Sequence, residues 1–332
     1  MTDQTPAAPA AAKPVYARMA VIGGGLIGSS VIRAARSHGA VGEIMVADAN
    51  PDHRARLEAL GIADGVFADP AEAVRGADLI VLAVPVMAMG SATAAAAPGI
   101  QPGATLTDVG SVKGAVAEAM AAAAPAGVFV IPGHPVAGTE QSGPDAGFAS
   151  LFENRWNILT PQPGGDAPYQ AAVERLTEFW MRLGARVELM DAAHHDLVLA
   201  VTSHLPHLIA YNIVGTAADL EEVTQGEVMK YSAGGFRDFT RIAASDPIMW
   251  RDVFLTNRDA VLEILGRFTE DLQALSRAIR WGEGDKLFEL FSRTREIRRG
   301  IIAAGQESAE PNFGRDHRAP SEGEGPPDTK SQ

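Results

Sequence analysis

The chain has 332 residues, of which 46% are hydrophobic and 21% are charged, so it is long enough for two domains with a sizeable core. Its formal net charge of −13 argues against a general nucleic-acid binder, because such proteins present a basic face to phosphates. The absence of cysteine excludes disulfides, thiolate metal sites and cysteine nucleophiles.

Both ends of the chain are predicted to be disordered tails. Residues 1–14 are rich in Ala and Pro and lack the basic segment of a secretory signal, and residues 305–332 are rich in Gly, Pro and Glu. The apolar run over residues 115–130 is interrupted by Glu118 and Pro125, so no membrane-spanning segment is predicted. We therefore expect a cytoplasmic protein whose partners include neither a membrane nor a nucleic acid.

The first elements in chain order form a strand, a glycine turn and a helix. An apolar strand over residues 18–22 leads into the turn, a helix spans residues 26–38, and a second strand spans residues 43–47. This order is typical of a dinucleotide-binding unit, although the same glycines could serve only packing in an ordinary crossover.

Each glycine of the turn has its own predicted role. Gly23 allows the tight turn, Gly25 leaves space for a pyrophosphate, and Gly28 lets the helix lie close to the strand. The amide groups at the start of the helix, those of Leu26 and Ile27, would then face the anion.

Asp48 closes this unit, about twenty residues after the turn. A carboxylate at this place accepts both hydroxyls of an adenosine ribose and repels a 2′-phosphate, so the sequence favours NAD over NADP. Val84 and Pro85 end another buried strand and are expected at the cofactor crevice, because open α/β sheets bind ligands there.

The pattern of a strand followed by a helix repeats as far as residue 190. Further strands are predicted near residue 66 and over residues 78–85, 105–109, 128–131, 156–160 and 186–190. Helices are predicted over residues 51–60, 69–75, 87–97 and 169–183, with one more after residue 113. Residues 15–190 therefore predict an α/β domain with a Rossmann-type, doubly wound and mostly parallel sheet.

From residue 191 to about residue 304 the apolar residues recur at helical spacing, which predicts an all-α second domain. Its long helices carry more apolar residues than a small monomeric bundle needs. We therefore expect a homodimer formed through this domain, which would also bind the substrate.

His134 is the strongest candidate for chemistry. It follows a buried strand in a stiff loop at the expected crevice, and an imidazole there can accept a proton from a substrate hydroxyl while hydride leaves the same carbon. Alternatively, it only ties the loop together. Ser111, at the end of the neighbouring strand, could bond the hydroxyl or the nicotinamide, or could cap the next helix.

The helical half adds polar candidates on otherwise apolar segments. Ser203 and His207 are four residues apart and share a helical face if the helix bends at Pro206, which favours a buried contact to a ligand over a metal pair. Arg237 or Arg241 could bind an acidic substrate, since arginine forms two parallel bonds with a carboxylate.

Purely structural roles are the alternatives for the same residues. The arginines could form surface salt bridges to Asp238 or Asp246, and Trp250 could be a core residue or close the site. No metal site is predicted. The remaining histidines considered are interpreted as ordinary surface or helix residues: His38, His53, His194, His195 and His317.

Together these motifs resemble the prephenate/arogenate (cyclohexadienyl) dehydrogenases of tyrosine biosynthesis. The matching segments occur in family order and span nearly the whole chain between the tails. They cover residues 23–29, 108–113, 133–140, 203–207 and 236–250.

The resemblance implies NAD-dependent oxidative decarboxylation of prephenate, with arogenate as a second possible substrate. It implies that His134 accepts the hydrogen bond of the substrate's C4 hydroxyl with help from Ser111, and that His207 and Arg241 bind substrate. Thr139 lies in a matching segment and is expected at the same site, and Trp250 could reach it from the other subunit of a dimer.

Three rival interpretations stay open from the sequence. One is an arogenate-specific dehydrogenase. A second is a β-hydroxyacid-type dehydrogenase, which usually relies on a catalytic lysine, but Lys230 and Lys286 are the only lysines in the helical half and neither lies in such a motif. A third is a non-catalytic NAD-sensing protein, which would not need His134, His207 and Arg241 together.

Overall fold

The computed structural model describes residues 13–221 and 233–303. Most of both predicted tails lies outside these ranges, as do Lys230 and His317. The chain divides into two compact units, one ending at Gly266 and the other beginning at Arg267. Within the described residues every strand ends by Leu189 and only helices follow. The predicted domain boundary between residues 190 and 191 stays a prediction.

Six strands form one fully parallel sheet in the order β3-β2-β1-β4-β5-β6, which is the order of a Rossmann fold. The strands are β1 (Tyr16–Ile22), β2 (Val41–Ala47), β3 (Gly65–Phe67), β4 (Leu79–Leu82), β5 (Thr105–Asp108) and β6 (Phe129–Val130). The strand order reverses between β1 and β4, so a crevice opens beyond their carboxyl ends.

A second sheet holds three strands that the sequence analysis assigned to the repeating β–α pattern. These are β7 (Gly133–Pro135), β8 (Trp156–Leu159) and β9 (Arg186–Leu189), with β7 antiparallel and β9 parallel to β8. Only two residues separate β6 from β7, and a parallel continuation of the large sheet needs a long crossover. The chain therefore starts a new sheet, and His134 becomes the middle residue of β7.

Helices cover the large sheet and then continue alone. Those of the α/β part are α1 (Leu26–Ser37), α2 (Pro51–Leu60), α3 (Pro70–Ala73), α4 (Met89–Ala96), α5 (Gly114–Ala123) and α6 (Ala167–Arg182). Those that follow are α7 (Ala192–Leu199), α8 (Leu205–Glu221), α9 (Gly234–Thr240), α10 (Pro247–Thr256), α11 (Arg258–Trp281) and α12 (Gly284–Ala303). The second compact unit comprises the end of α11 and α12.

The core lies on both faces of the large sheet, because successive side chains of a strand point to opposite faces. In β1, Met19 and Val21 join one buried cluster, whereas Ala20 and Ile22 join the other. Trp250 of α10 belongs to the second cluster. This packing brings the helical half of the first unit onto the sheet.

The sequence left open whether the helix bends or stops at Pro206, and the structure continues the helix through it. A π-helical turn, Ala200–His204, joins α7 to α8, and the amide of Leu205 donates to the carbonyl of Ala200 five residues earlier. A proline ring clashes with the carbonyl four residues before it in an α-helix, and the wider turn relieves that clash. Ser203 and His207 therefore lie in one helical run.

The run Ala192–Leu220 is, among the described residues, long and apolar enough to cross a membrane by length and composition. It nevertheless carries a buried carboxylate, that of Asp196, which accepts hydrogen bonds from the backbone of Lys113 and Gly114. Such contacts are those of a helix packed within a protein, because a charge in lipid lacks partners of this kind.

A fully buried ion pair fixes the end of β5 against β7. The ammonium of Lys113 bonds the carboxylate of Asp108 and donates to the carbonyl of Gly133 at 2.6 Å. The same carboxylate accepts the amide of Gly133 at 3.1 Å. Gly133, the residue just before His134, is thus fixed by Lys113 at its carbonyl and by Asp108 at its amide.

We expect Lys113→Met to lower the free energy of unfolding by about 3 to 5 kcal/mol, because it leaves the Asp108 carboxylate buried without its counter-ion. Urea denaturation followed by circular dichroism measures this. The exposed Lys286 provides the control, and Lys286→Met should change the free energy by less than about 0.5 kcal/mol. A loss below about 1 kcal/mol for Lys113→Met would contradict the expectation.

Candidate active site

The glycine turn has the geometry that a dinucleotide needs. Gly23 has a φ of 101°, and a Cβ on it would lie 2.4 Å from the carbonyl oxygen of Ala83. A Cβ on Gly28 would lie 1.9 Å from the carbonyl oxygen of Gly23, so the helix contacts the turn closely. Beside Gly25, in contrast, a Cβ would meet nothing within 4 Å, which leaves space for a ligand.

The first turn of α1 is open to an anion. Gly25 is the N-cap residue, and no side chain caps this helix. The amide of Ser29 is the first to bond back along the helix, to Gly25. The preceding amides, including those of Leu26 and Ile27, are therefore available to a pyrophosphate.

Asp48 lies directly beside this turn. Its carboxylate accepts the amide of Gly24 at 2.7 Å and the amide of Asn50 at 2.8 Å. Val84 and Pro85 follow β4 on the other side, and Cγ1 of Val84 would lie 3.1 Å from a Cβ on Gly23. The residues that the sequence predicted for the cofactor thus converge on one crevice, and they fit NAD.

His134 is buried in β7 and continues into a chain of hydrogen bonds. Its Nδ1 lies 2.9 Å from Nε2 of His195, and Nδ1 of His195 lies 2.8 Å from Oδ1 of Asp196. The interpretation of His195 as an ordinary helix residue was wrong, because this side chain is fully buried. On α7 the exposed position belongs to its neighbour, His194.

The imidazole of His134 is neutral at neutral pH. Burial, together with the nearby His195, Lys113 and His204, holds its pKa well below the usual 6.5. A neutral imidazole has one lone pair for accepting a hydrogen bond. This is the form that can accept a substrate hydroxyl.

Ser111 lies in the loop between β5 and α5 and is half-buried. The alternative that it caps α5 is wrong, because Asp196 fills that role: its carboxylate accepts the amides of Lys113 at 2.7 Å and Gly114 at 2.9 Å. The Ser111 hydroxyl forms no hydrogen bond to another described residue, so it is available to a ligand.

His207 stacks on Trp250, with ring centroids 3.6 Å apart and planes inclined by 23°. Its Nδ1 donates to the carbonyl of Ser203 at 2.9 Å. Burial lowers the pKa of His207, and the positive charge of Arg241 acts in the same direction, which places this arginine nearby. Trp250 is both a core residue and part of this group, and its contact with His207 is made within one chain.

Arg241 pairs with Glu140 at 3.2 Å, and both side chains are more than a third exposed. The sequence had offered Asp238 or Asp246 as partners, but Asp246 instead caps α10 by accepting the amide of Ile248 at 2.7 Å. Arg237 is exposed and makes no ion pair with a described residue. Of the two arginines, Arg241 is the one whose charge affects the pKa of His207.

The loop after β7 carries the remaining predicted residue, Thr139. Its hydroxyl oxygen accepts the amide of Gln141 at 3.3 Å, and the side chain is half-buried next to Glu140. No contact joins Thr139 to His134 among the described residues, so its place at the site stays a prediction.

Sequence reasoning missed two buried polar residues behind the site, Asp196 and Asn257. Asn257 donates to the carbonyl of Asp196 at 2.8 Å and lies 3.0 Å from Nδ1 of His204. The signal was present, since Asp196 is the single charged residue between Ala192 and Ala218. An isolated acid in an apolar helical run has to be buried with partners.

The β-hydroxyacid alternative relies on a lysine of the helical half, where Lys230 lies outside the described residues. Lys286 is exposed and pairs with Glu283 at 2.7 Å on the same turn of chain. The structure describes no group of three or more His, Asp or Glu side chains that could hold a metal ion within residues 13–221 and 233–303.

Comparison with known families matches nearly all of the chain between its tails. Residues 31–189 match the family described as prephenate dehydrogenase, nucleotide-binding domain, and residues 191–293 match prephenate dehydrogenase, dimerization domain.

Individual relatives carry the names of the same family. A cyclohexadienyl dehydrogenase of Zymomonas mobilis is 43% identical over 86% of this chain and 96% of its own length. A prephenate dehydrogenase of Bacillus subtilis is 32% identical over 87% of this chain and 77% of its own length.

A solved structure is similar over most of its length. The prephenate dehydrogenase of Aquifex aeolicus, in complex with hydroxyphenyl propionate and NAD+, superimposes with a TM-score of 0.79 at 33% identity, covering 86% of this chain and 98% of that one. The glycine crevice, the buried histidine and these matches lead to one conclusion: the chain is an NAD-dependent oxidoreductase that belongs to the prephenate dehydrogenase family.

Proposed function

We propose that this enzyme oxidises and decarboxylates prephenate to 4-hydroxyphenylpyruvate in tyrosine biosynthesis. Prephenate is a cyclohexadiene with a hydroxyl at C4, a carboxylate at C1 and a pyruvyl side chain. The observation that carries the proposal is the neutral imidazole of His134, buried beside the carboxyl end of β5 at the edge of the sheet that holds the glycine turn. An acceptor at this edge faces the place of the nicotinamide.

Bound NAD+ supplies the hydride acceptor. Loss of hydride from C4 and of CO₂ from C1 leaves an aromatic ring, and the hydroxyl hydrogen remains in the phenol product. His134 therefore only has to share that hydrogen during the reaction. By accepting a hydrogen bond from the hydroxyl, the imidazole stabilises the positive charge that develops at C4 as the hydride leaves.

Arg241 binds a carboxylate of the substrate. Its present partner is Glu140, and an ion pair this exposed contributes about 1 kcal/mol or less to stability. Replacing Glu140 by a substrate carboxylate therefore costs little. His207, stacked on Trp250 next to the guanidinium, adds a flat surface beside the same end of the substrate.

The specificity between prephenate and arogenate is tested directly. The two differ only in a keto or an amino group on the side chain, and the Zymomonas mobilis relative is named a cyclohexadienyl dehydrogenase, which supports acceptance of both. Purified protein is mixed with NAD+ and each compound, and NADH is followed at its absorbance band. If no NADH forms with either compound, the proposal is refuted. If NADH forms with arogenate but not with prephenate, the arogenate-specific alternative is favoured.

Replacing His134 by Asn should lower kcat about 10²- to 10⁴-fold, the usual contribution of a general base, and should leave the Kd for NAD+ unchanged. Steady-state NADH formation and a fluorescence titration measure the two quantities. His194→Asn is the matched control on an exposed histidine and should keep full activity. Retained turnover in His134→Asn would remove the role given to His134.

Replacing Arg241 by Ala should raise the substrate KM about 10- to 100-fold, because a charge-assisted hydrogen bond is lost. The KM for NAD+ should not change. Arg237→Ala is the control, since this arginine is exposed and outside the group around His207. A raised KM in Arg237→Ala with an unchanged one in Arg241→Ala would exchange their roles.

We also propose that the chain forms a homodimer through residues 191–293, the range that matches a dimerization domain. Large apolar side chains of this range remain exposed in the single chain. In the second compact unit, Ile279 is 67%, Trp281 74% and Phe288 73% exposed. Exposed apolar surface of this kind is covered when a second copy binds.

A charge placed on that surface should prevent dimerisation. We expect Phe288→Glu to give a monomer by light scattering at micromolar concentration, where the wild type gives a dimer, because the carboxylate would be buried at the interface. Arg293→Glu adds the same side chain at an already polar, exposed position of α12 and should stay dimeric. A monomeric wild type would contradict the proposal.

The cytoplasmic location predicted from the sequence belongs with this proposal. It is supported by the biosynthetic role of the relatives, whose names are those of prephenate and cyclohexadienyl dehydrogenases.

A further inference from the structure

His195 and Asp196 are two buried titratable residues that the reaction proposed above does not use. They lie on α7, whereas His134 lies on β7, 61 residues earlier in the sequence. The three side chains nevertheless form an unbroken line, with 2.9 Å between the two imidazoles and 2.8 Å from His195 to the carboxylate. His195 is fully buried and Asp196 is 8% exposed.

The direction of these hydrogen bonds follows from the carboxylate. Burial opposes the ionisation of Asp196, but hydrogen bonds from His195, Lys113 and Gly114 outweigh it and lower the pKa of this carboxyl. Asp196 is therefore ionised and can only accept. Nδ1 of His195 must then carry the hydrogen that it donates to Asp196.

His195 is neutral, so its second nitrogen is an acceptor. Burial lowers the pKa of this imidazole, and the charge of Lys113 acts in the same direction, against the effect of Asp196 and Asp108. With Nδ1 protonated, Nε2 of His195 holds a lone pair. The only hydrogen that can lie between the two imidazoles is therefore on Nδ1 of His134.

The remaining nitrogen of His134, Nε2, is then left as a lone pair. It has no hydrogen bond to a described residue and is not among the fully enclosed polar atoms without partners. It can therefore meet a ligand. The opposite tautomer would present an N–H to the substrate hydroxyl and could not accept its hydrogen.

We propose that His195 and Asp196 are positioning residues that hold His134 in the Nδ1–H tautomer, with the Nε2 lone pair directed to the reacting hydroxyl. This rests on the proposed function for the identity of that hydroxyl. Asp196 acts through His195 and does not touch the substrate. The arrangement also orients the ring of His134, because its Nδ1–H has one acceptor.

The other charged and titratable groups near His134, His195 and Asp196 do not change the direction of the hydrogen bonds between these three side chains. Lys113 and Asp108 form their own ion pair behind β7, and His204 bonds Asn257. Burial lowers the pKa of His204 to about 4, so it too is neutral at neutral pH. None of these groups supplies a second hydrogen to the contact between His134 and His195.

The direct test reads the tautomer in the free full-length protein. Proton–nitrogen correlation spectra of protein labelled with ¹⁵N-histidine distinguish a protonated Nδ1 from a protonated Nε2, and His134→Asn identifies the signals of His134. We expect Nδ1–H for His134 at pH 7. Nε2–H at this residue would overturn the proposal, and no substrate is involved in either outcome.

Kinetics of a matched pair of variants provide the second test. His195→Met removes the acceptor and is expected to lower kcat about 10- to 100-fold, with the substrate KM and the Kd for NAD+ unchanged, and to give a mixture of His134 tautomers. His194→Met makes the same change at the neighbouring exposed residue and should have no effect. An unchanged kcat in His195→Met would overturn the proposal.

A conservative variant separates positioning from simple loss of structure. Gln at position 195 retains an oxygen that can accept from Nδ1 of His134, so His195→Gln should recover part of kcat and the Nδ1–H signal. A Gln variant that is folded, by its circular dichroism, and no better than Met would count against the proposal. If the wild type shows the Nδ1–H signal but reduces no NAD+ with prephenate, the proposed function fails while the tautomer assignment stands.

Discussion

The site depends on the hydrogen bonds that the buried carboxylate of Asp196 accepts. This carboxylate accepts two backbone amides at the start of α5 and the imidazole of His195. The main-chain carbonyl of Asp196 separately accepts the side chain of Asn257. One acidic side chain of the helical half thus fixes a helix of the α/β half and the histidine behind His134, while the backbone of the same residue contacts the junction between α10 and α11. Removing such a group would leave several buried donors without an acceptor, which costs more than any one bond contributes.

This arrangement explains why the residues around His134 are so deeply buried. Lys113 follows the loop that carries Ser111, and its ammonium contacts both Asp108 and the backbone next to His134. The end of β5, the start of β7 and the start of α7 are therefore held together by polar contacts in an apolar surrounding. Within low-dielectric surroundings these contacts are strong and directional, so they can define one ring orientation for His134.

The sequence predicted the α/β half well, because its signals are local. The glycine turn, the acid of β2 and the buried strands each depend on residues close in sequence, and the structure has these elements within a few residues of the predicted bounds. The small sheet was not predicted, because the sequence does not show which strand β7 pairs with. The segment after β6 could have joined the large sheet or, as the structure shows, started a new one. Whether the helix bends or stops at Pro206 stayed open for a similar reason: a π-turn has no sequence signature of its own.

The site shows the same division. His134 and Arg241 were predicted from their motifs, whereas His195 was interpreted as an ordinary surface or helix residue. Its burial depends on the phase of α7, which begins at the cap formed by Asp191, and on a strand 61 residues away. Helical phase could be read from the sequence, but the strand facing that helix could not. Long-range pairing is the information that a single sequence lacks.

The two ends of the proposed substrate site differ in a way that suits the reaction. His134 is buried, and burial keeps it neutral, so it can accept a hydrogen from a hydroxyl without competing with water. Arg241 remains partly exposed and already holds a carboxylate, that of Glu140, so it can exchange one anion for another at small cost. Chemistry at C4 requires a dry, fixed acceptor, while binding and release of an acid require a cation that water can reach. The fold places the first on the sheet and the second at a helix end, and in the proposed function the substrate contacts both.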